Sequence, residues 1–346
     1  MEHIPYPHTV SFPVLKKDKL AEREYQLSHG LPTPFPLRAK YRGTIKLHGT
    51  NATLIFRNNN RTAPTFQSRN RIITLSSDNH GTVAHLSGAG IVTTLANEIM
   101  RIHGSRSFTE LMVAGELCGE GVQRGVAIAC MERFFCVFAI RIDGVWVDMA
   151  KYASVAVPER RVYNIMNYRT WEVEIDLAGG TKAVYKQMTT YTLEVGKRCP
   201  FAEQFVDAEG AAIVGFGEGI VWTLIPEERH DVSVKRELVN FKTKTEAFTT
   251  GGRKPKVPLE AGVSERAARF VEYAVGERRL EQGVEYMREM GKTVEKKSVG
   301  EFVKWVAQDA VREEKAAMEE MGADEKIVRT LVAGKAKQYW FKVCEE

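Results

Sequence analysis

KLHGTN, residues 46–51, stands directly after a short β-like run that carries Tyr41, Thr44 and Ile45. A lysine, one spacer, a polar residue and a glycine in that position form the pattern of a nucleophilic lysine that carries a nucleotide on its own side chain. The residue types suit that chemistry. An amine attacks phosphorus only when unprotonated, so burial, nearby cations or a metal must disfavour the ammonium form. A glycine lets the backbone approach phosphate closely and can adopt positive φ. The competing reading of the same six residues is a solvated lysine at the end of a strand.

The surrounding chain limits what the motif can mean. Its 346 residues are enough for two domains and a sizeable core. Hydrophobic residues make up 44% and charged residues 27%, the balance of a soluble globular protein. No apolar run approaches the roughly 18 residues that span a membrane. The N-terminus, MEHIPYPHTV, lacks the basic and apolar regions of a signal peptide. These features predict an intracellular protein, cytoplasmic or nuclear, that is not secreted and has no membrane partner. The five cysteines (Cys118, Cys130, Cys136, Cys199, Cys344) are odd in number and form no CxxC pair. They argue for neither a zinc site nor a disulfide framework, and they fit a reducing compartment. The net charge of +5 permits a nucleic-acid partner without requiring one.

Outward from the motif, residues 1–40 hold several prolines and no clear period, and read as an irregular lead-in with one short helix near Leu20 to Leu27. From about 41 to 250 the signals are mostly β. RFFCVFAIRI (133–142) and VWVDM (145–149) flank Asp143-Gly144, a two-residue hairpin turn. WEVEIDL (171–177) and KAVYKQM (182–188) flank Gly179-Gly180 and predict a second hairpin. Composition changes after Pro258. SERAARFVEYAV (264–275) has apolar residues at 267, 270, 271 and 274, the stripe of an amphipathic helix. Ser298-Val299-Gly300-Glu301 reads as a capping box opening another helix, and a further helix is predicted from about Asp324 to Tyr339. The expected class is therefore α+β: a mixed domain over 1–250, a basic hinge, and an all-helical domain over 259–346. Residues 229–256 carry a local net charge of +5, whereas the tail from 257 carries −2. A basic hinge is either a solvated linker or a cleft wall facing phosphates.

Further polar clusters follow in order. SRNR (68–71) contains Arg69, either a surface arginine or a bidentate holder of ribose or phosphate. AGELCGEGVQ (114–123) sets Glu116 between glycines in an apolar strand, as a buried ion-pair partner or a metal and sugar ligand. Phe138 lies in an alternating strand, as a core residue or a stacking platform. FGEGIVW (216–222) sets a second glycine-flanked acid, Glu218, before an apolar run. FKTK (241–244) places Lys242 and Lys244 at strand period on one face, where they are solvated or clamp a triphosphate.

KLHGTN, SRN, GELCGEGVQ, a Phe-ended strand, GEGIVW and FKTK, in that order, resemble the nucleotidyltransferase motifs of covalent ligases and capping enzymes. They are most similar to the RNA ligase 2 family, which includes phage enzymes and kinetoplastid editing ligases. His48 stands where DNA ligases and capping enzymes carry Asp. The tail, with EFVKWVAQDAVREE (301–314), resembles the helical C-terminal domain of phage RNA ligase 2 rather than the β-barrel domain of DNA ligases and capping enzymes. The resemblance covers nearly the whole chain and implies a nucleotidyltransferase domain of antiparallel sheets with flanking helices, followed by a helical domain that binds nucleic acid.

The resemblance also implies roles. Lys46 would attack the α-phosphate of ATP and form a lysyl-AMP phosphoramide. Ile45, Arg69, Glu116 and Phe138 would bind the nucleotide, Phe138 by stacking on adenine. Glu218 would assist activation of the lysine. Lys242 and Lys244 would clamp the phosphates. His48, Asn51 and Arg69 would serve the nucleic-acid steps. Mg2+ or Mn2+ would be held through water by Glu116 and Glu218. The implied substrate is RNA or an RNA–DNA hybrid, joined by a monomer. The chain departs from the family in having Ala139, not an acid, after the stacking Phe, and in lacking a basic residue in ELVN (237–240). GKRCPFAEQF (196–205) looks family-like but points to no role. Three other readings remain: a DNA ligase or capping guanylyltransferase, a non-catalytic nucleic-acid-binding protein on a degenerate ligase scaffold, and a soluble α+β protein whose motifs coincide by chance.

Overall fold

The computed structural model describes residues 2–31, 35–88, 90–225, 238–245 and 262–345. Of the basic hinge, only Lys242 and Lys244 fall within these; Arg229, Lys235, Arg236, Arg253, Lys254 and Lys256 lie outside the described residues. The chain divides into two compact units, Met1–Ala247 and Phe248–Glu346.

In the first unit the described residues form two sheets. One has the order β1 (Val10–Ser11), β12 (Asn240–Lys244), β11 (Gly219–Leu224), β2 (Arg38–Lys46) and β10 (Thr170–Asp176). The other runs β5 (Ile72–Ile73), β4 (Thr65–Ser68), β3 (Thr50–Arg57), β6 (Glu110–Cys118), β7 (Phe134–Ile142) and β8 (Val145–Trp146), with β9 (Val162–Asn164) also paired to β7. The sheets are antiparallel apart from β1 on β12 and β9 on β7. Strand β2 shows why. Ala39, Tyr41, Gly43 and Ile45 are buried on one face, while Lys40, Arg42, Thr44 and Lys46 take the other. Gly43 is required by close packing, because a Cβ there would lie 2.8 Å from Trp222 Cζ3. The Asp143-Gly144 turn forms as predicted, with φ of 48° and 84° at its two residues and β7 and β8 on either side.

Three expectations need correction. The second hairpin is a strand and a helix. Strand β10 pairs with β2, and residues 182–188 open helix α4 (Lys182–Lys197). Its buried positions, Met188, Thr192 and Val195, follow the helical period, which the seven-residue window was too short to reveal. Asp176 Oδ1 makes the turn by accepting from the amides of Ala178 and Gly179, both at 3.0 Å. The lead-in is also more regular than expected. Helix α1 spans Phe12–Ser28 with a proline in its first turn, where the missing N–H costs nothing. It buries Phe12, Leu15 and Lys19, and the Phe12 ring meets Phe241 of β12 at 5.1 Å. Finally, Ser298 makes no side-chain cap at the helix Val299–Glu313, and Glu301 instead accepts from Lys292 Nζ at 3.1 Å.

The second unit is helical throughout its described residues: α5 (Val263–Ala274), α6 (Glu277–Glu289), α7 (Val299–Glu313), α8 (Lys315–Glu320) and α9 (Glu325–Val343). Ala267, Phe270, Val271 and Ala274 of α5 are all buried, as the stripe requires. Phe302 and Trp340 anchor the core with centroids 4.5 Å apart. Among the described residues no helix is long and apolar enough to cross a membrane.

Candidate active site

The motif that opened the sequence sits where the chain leaves one sheet for the other. Strand β2 ends at Lys46 and β3 begins at Thr50, so Leu47, His48 and Gly49 form the crossover. Gly49 is needed there for proximity and not for positive φ, contrary to one of the reasons its presence suggested. A Cβ would collide with the Leu117 carbonyl oxygen and lie 2.6 Å from Cys118 Sγ. The crossover is thereby pressed onto β6, beside Glu116.

Register assembles the rest. Gly219, the first residue of β11, pairs with Lys46 on one side and Lys244 on the other. Glu218 precedes it, so its carboxylate falls between the two lysines. Lys46 Nζ donates to Glu218 Oε2 at 2.6 Å, and Lys244 Nζ lies 2.8 Å from Oε1. His48 Nδ1 stands 3.3 Å from Oε2. Glu218 is only 2% exposed. Burial opposes its ionisation, but Lys244, Lys46 and His48 outweigh that cost and hold the carboxyl well below the usual range.

Glu116, on β6, is half-buried and pairs across the sheet with Asn51 of β3. Desolvation pushes its carboxyl up, Lys46 and Arg69 pull it down, and Glu218 pushes it up again. These fields place Lys46, His48, Arg69, Glu116 and Glu218 in one electrostatic neighbourhood. Asn51 is buried and donates through Nδ2 to the Gly115 carbonyl at 3.4 Å, while its Oδ1 has no partner among the described residues. Arg69 is exposed in the turn after β4. Lys242 shares the Lys244 face of β12 and pairs in register with Val221 and Ser11.

Two further candidates flank the Lys46 strand. Ile45 is buried against the opposite face of β2 from Lys46, so only its backbone can reach a ligand on the lysine side. Phe138 lines a cavity with Tyr6, Arg42, Thr44, Met166 and Leu224, of which Arg42 and Thr44 share the Lys46 face of β2. Ala139, beside it, is buried in an apolar cluster with Ile55 and Met112.

Sequence reasoning missed Tyr6. Its ring meets Phe138 edge-on at 5.2 Å, and its hydroxyl accepts from Asn240 Nδ2 at 3.4 Å. Burial pushes that hydroxyl up, with Arg69 and Glu116 close enough to act on it. A tyrosine between two prolines in an aperiodic lead-in offered no signal. Arg42 was missed too. It reaches Asp148 at 2.7 Å and Glu172 at 3.2 Å, and its strand-period spacing from Lys46 was the available clue. The GKRCPFAEQF segment is structural: Cys199 is buried, and Phe201 stacks on Phe134 at 5.0 Å.

A sequence model of RNA ligases matches residues 39–237, more than half of the chain and the span from β2 to just before β12. The chain belongs to the RNA ligase family. Among curated proteins none matches it. Similar solved structures include a mutant of Naegleria gruberi RNA ligase with AMP and Mn, at 12% identity and a TM-score of 0.40. Naegleria gruberi RNA ligase with PPi is also similar, at 12% identity and a TM-score of 0.41. Each comparison covers 71% of this chain and 57% of the other. This RNA ligase family member thus spans little more than half the length of the solved proteins it matches.

The donor set bears on what the family site could hold. Among the described residues no three His, Cys, Asp or Glu side chains converge as a metal cage. Both Glu218 oxygens meet cationic or imidazole nitrogens, and Glu116 adds one half-buried carboxylate. That set fits a hydrated divalent cation bound through its waters, which needs few direct protein ligands.

Proposed function

We propose that this chain is an ATP-dependent RNA ligase that carries AMP on Lys46. The observation that carries the reading is the contact of Lys46 Nζ with a buried, ionised Glu218 that also holds Lys244 and His48, in a chain of the RNA ligase family. Lys46, whose side chain is partly open to solvent, gives up a proton to water, and its nitrogen attacks the α-phosphorus of ATP. A P–N bond forms, the bond to the β-phosphate oxygen breaks, and pyrophosphate leaves. Glu218 is too weak a base to keep the proton, so its part is to hold and aim the amine. Lys244 and Lys242 meet the charge that develops on the phosphates. A Mg2+ or Mn2+ ion bound through water by Glu116 and Glu218 would add Lewis-acid stabilisation of that charge. Phe138 takes the adenine face, the Ile45 backbone approaches the base, and Glu116 and Arg69 reach the ribose and phosphate.

An RNA 5′-phosphate oxygen then attacks the α-phosphorus, a P–O bond replaces the P–N bond, and Lys46 is released. An adjacent 3′-OH attacks the 5′-phosphate, the phosphodiester forms and AMP leaves. His48, Asn51 and Arg69 serve these later steps. The enzyme works as a monomer on nicked duplex RNA or an RNA–DNA hybrid, with residues 259–346 binding the nucleic acid. Recognition of such substrates rests on A-form shape and 2′-OH contacts.

Purified protein incubated with Mg2+ and α-labelled ATP or GTP, then run on a denaturing gel, tests the reading. An acid-labile label is expected from ATP alone and absent in Lys46→Ala. A GTP-specific label would instead indicate a capping enzyme, and a label persisting in Lys46→Ala would move the nucleophile elsewhere.

A further inference from the structure

Phe216, two residues before Glu218, is a large apolar side chain left in solvent. It is 61% exposed, and Val214, two residues earlier, is 60% exposed. It takes part in no ring contact among the described residues, although aromatic rings, buried and half-buried, crowd around Phe201. Its backbone is pinned on both sides. The Phe216 carbonyl accepts from the Ala127 amide at 2.9 Å, the Gly215 carbonyl accepts from Cys199 at 2.8 Å, and the Gly217 amide donates to the Val195 carbonyl at 3.0 Å. Gly217 must be glycine, since a Cβ would lie 2.7 Å from Val195 Cγ1. The ring is therefore presented from a fixed frame, with its apolar surface unused by the fold.

Its position points to the occupant. Phe216 is two residues from Glu218, at most about 7 Å along the chain, and Glu218 touches the Lys46 amine. The Ala127 bond also ties Phe216 to the segment that carries Arg124, an exposed guanidinium three residues earlier. An exposed apolar ring held close in the chain to Glu218, and tied through its backbone to the segment of an exposed arginine, matches the paired needs of a nucleotide, a π-face and a phosphate.

We propose that Phe216 is a stacking platform for the 5′-terminal base of the RNA end that receives AMP, with Arg124 meeting a phosphate of that strand. The proposal rests on the RNA-ligase reading and adds a subsite to it. Stacking on an aromatic ring tolerates any base, so the subsite favours an end whose terminal base is present and free to unstack, whatever its identity.

The test uses the full-length protein and a 5′-phosphorylated RNA whose terminal base is 2-aminopurine, a fluorophore quenched by stacking. Wild type and Phe216→Trp should quench it on binding. Phe216→Leu should leave the emission of bound RNA near that of free RNA and weaken binding about tenfold. With 2-aminopurine moved to an interior position, the variants should not differ. Equal quenching by wild type and Phe216→Leu would overturn the proposal. So would a change in the sedimentation of Phe216→Leu without a change in quenching, which would assign the surface to another protein molecule. The AMP label on Lys46, measured in parallel, separates the two readings. Phe216-dependent quenching without a label would sink the ligase reading alone, whereas a label with Phe216-independent quenching would sink the stacking platform alone.

Discussion

Glu218 shows how one buried acid can organise a site. Without its three partners, burial would drive its carboxyl towards the neutral form; with Lys244, Lys46 and His48 around it, the ionised form prevails. The folded-state value therefore lies below the reference value of 4.5. The stability this contributes is fully present above the unfolded value and is lost as pH falls through the folded one. Urea unfolding at stepped pH should show wild type losing stability more steeply than Glu218→Gln as the pH falls below 4.5. Parallel curves would mean that the ion cluster does not form. Lys46, Glu218 and Lys244 were legible in sequence because glycine-flanked acids and lysines at strand period are local patterns. Tyr6 was not, because its neighbours at Phe138, Asn240 and Arg69 are all distant in the chain.

At the scale of elements, local pattern succeeded where the period was long enough to register. Strand β7 and its turn, and the stripe of α5, formed where their residues implied. Helix α4 failed the same reading because seven residues with apolar positions at 183, 184, 185 and 188 fit neither period well, and only the packing of Met188, Thr192 and Val195 decides it. The helical unit holds a feature no periodicity could show. Arg279 of α6 is fully buried, donating to the Ala274 carbonyl at 2.6 Å, with Asp309 and Glu314 each at 3.2 Å. Tyr273 donates to the same Glu314 at 2.9 Å. Removing the cation would leave two acids in a poorly solvated position. Arg279→Ala should cost about 3–5 kcal/mol in denaturant unfolding, and a loss under about 1 kcal/mol would show that water reaches the cluster.

For the whole molecule, the division into two units with separate cores implies separable contributions. Among the described residues, the groups gathered around Lys46 (His48, Glu116, Glu218 and Lys244) all belong to the first unit. Deleting 259–346 should therefore spare AMP attachment to Lys46 more than it spares joining of nicked RNA, both measured on truncated protein whose circular dichroism retains the β signal. Equal loss of the two activities would remove the substrate-binding role from the helical unit.

By itself the sequence determined the family-like order of motifs, the mixed and helical parts and the candidate nucleophile, because each is written in residue type and spacing along one stretch of chain. Only the tertiary structure decided which groups share a field. Register sets Gly219 between Lys46 and Lys244, the crossover at Gly49 presses His48 and Lys46 towards Glu116, and the lead-in brings Tyr6 against Phe138. Electrostatic and packing energies depend on distance in space, and a linear sequence records that distance only where neighbours in the fold are also neighbours in the chain.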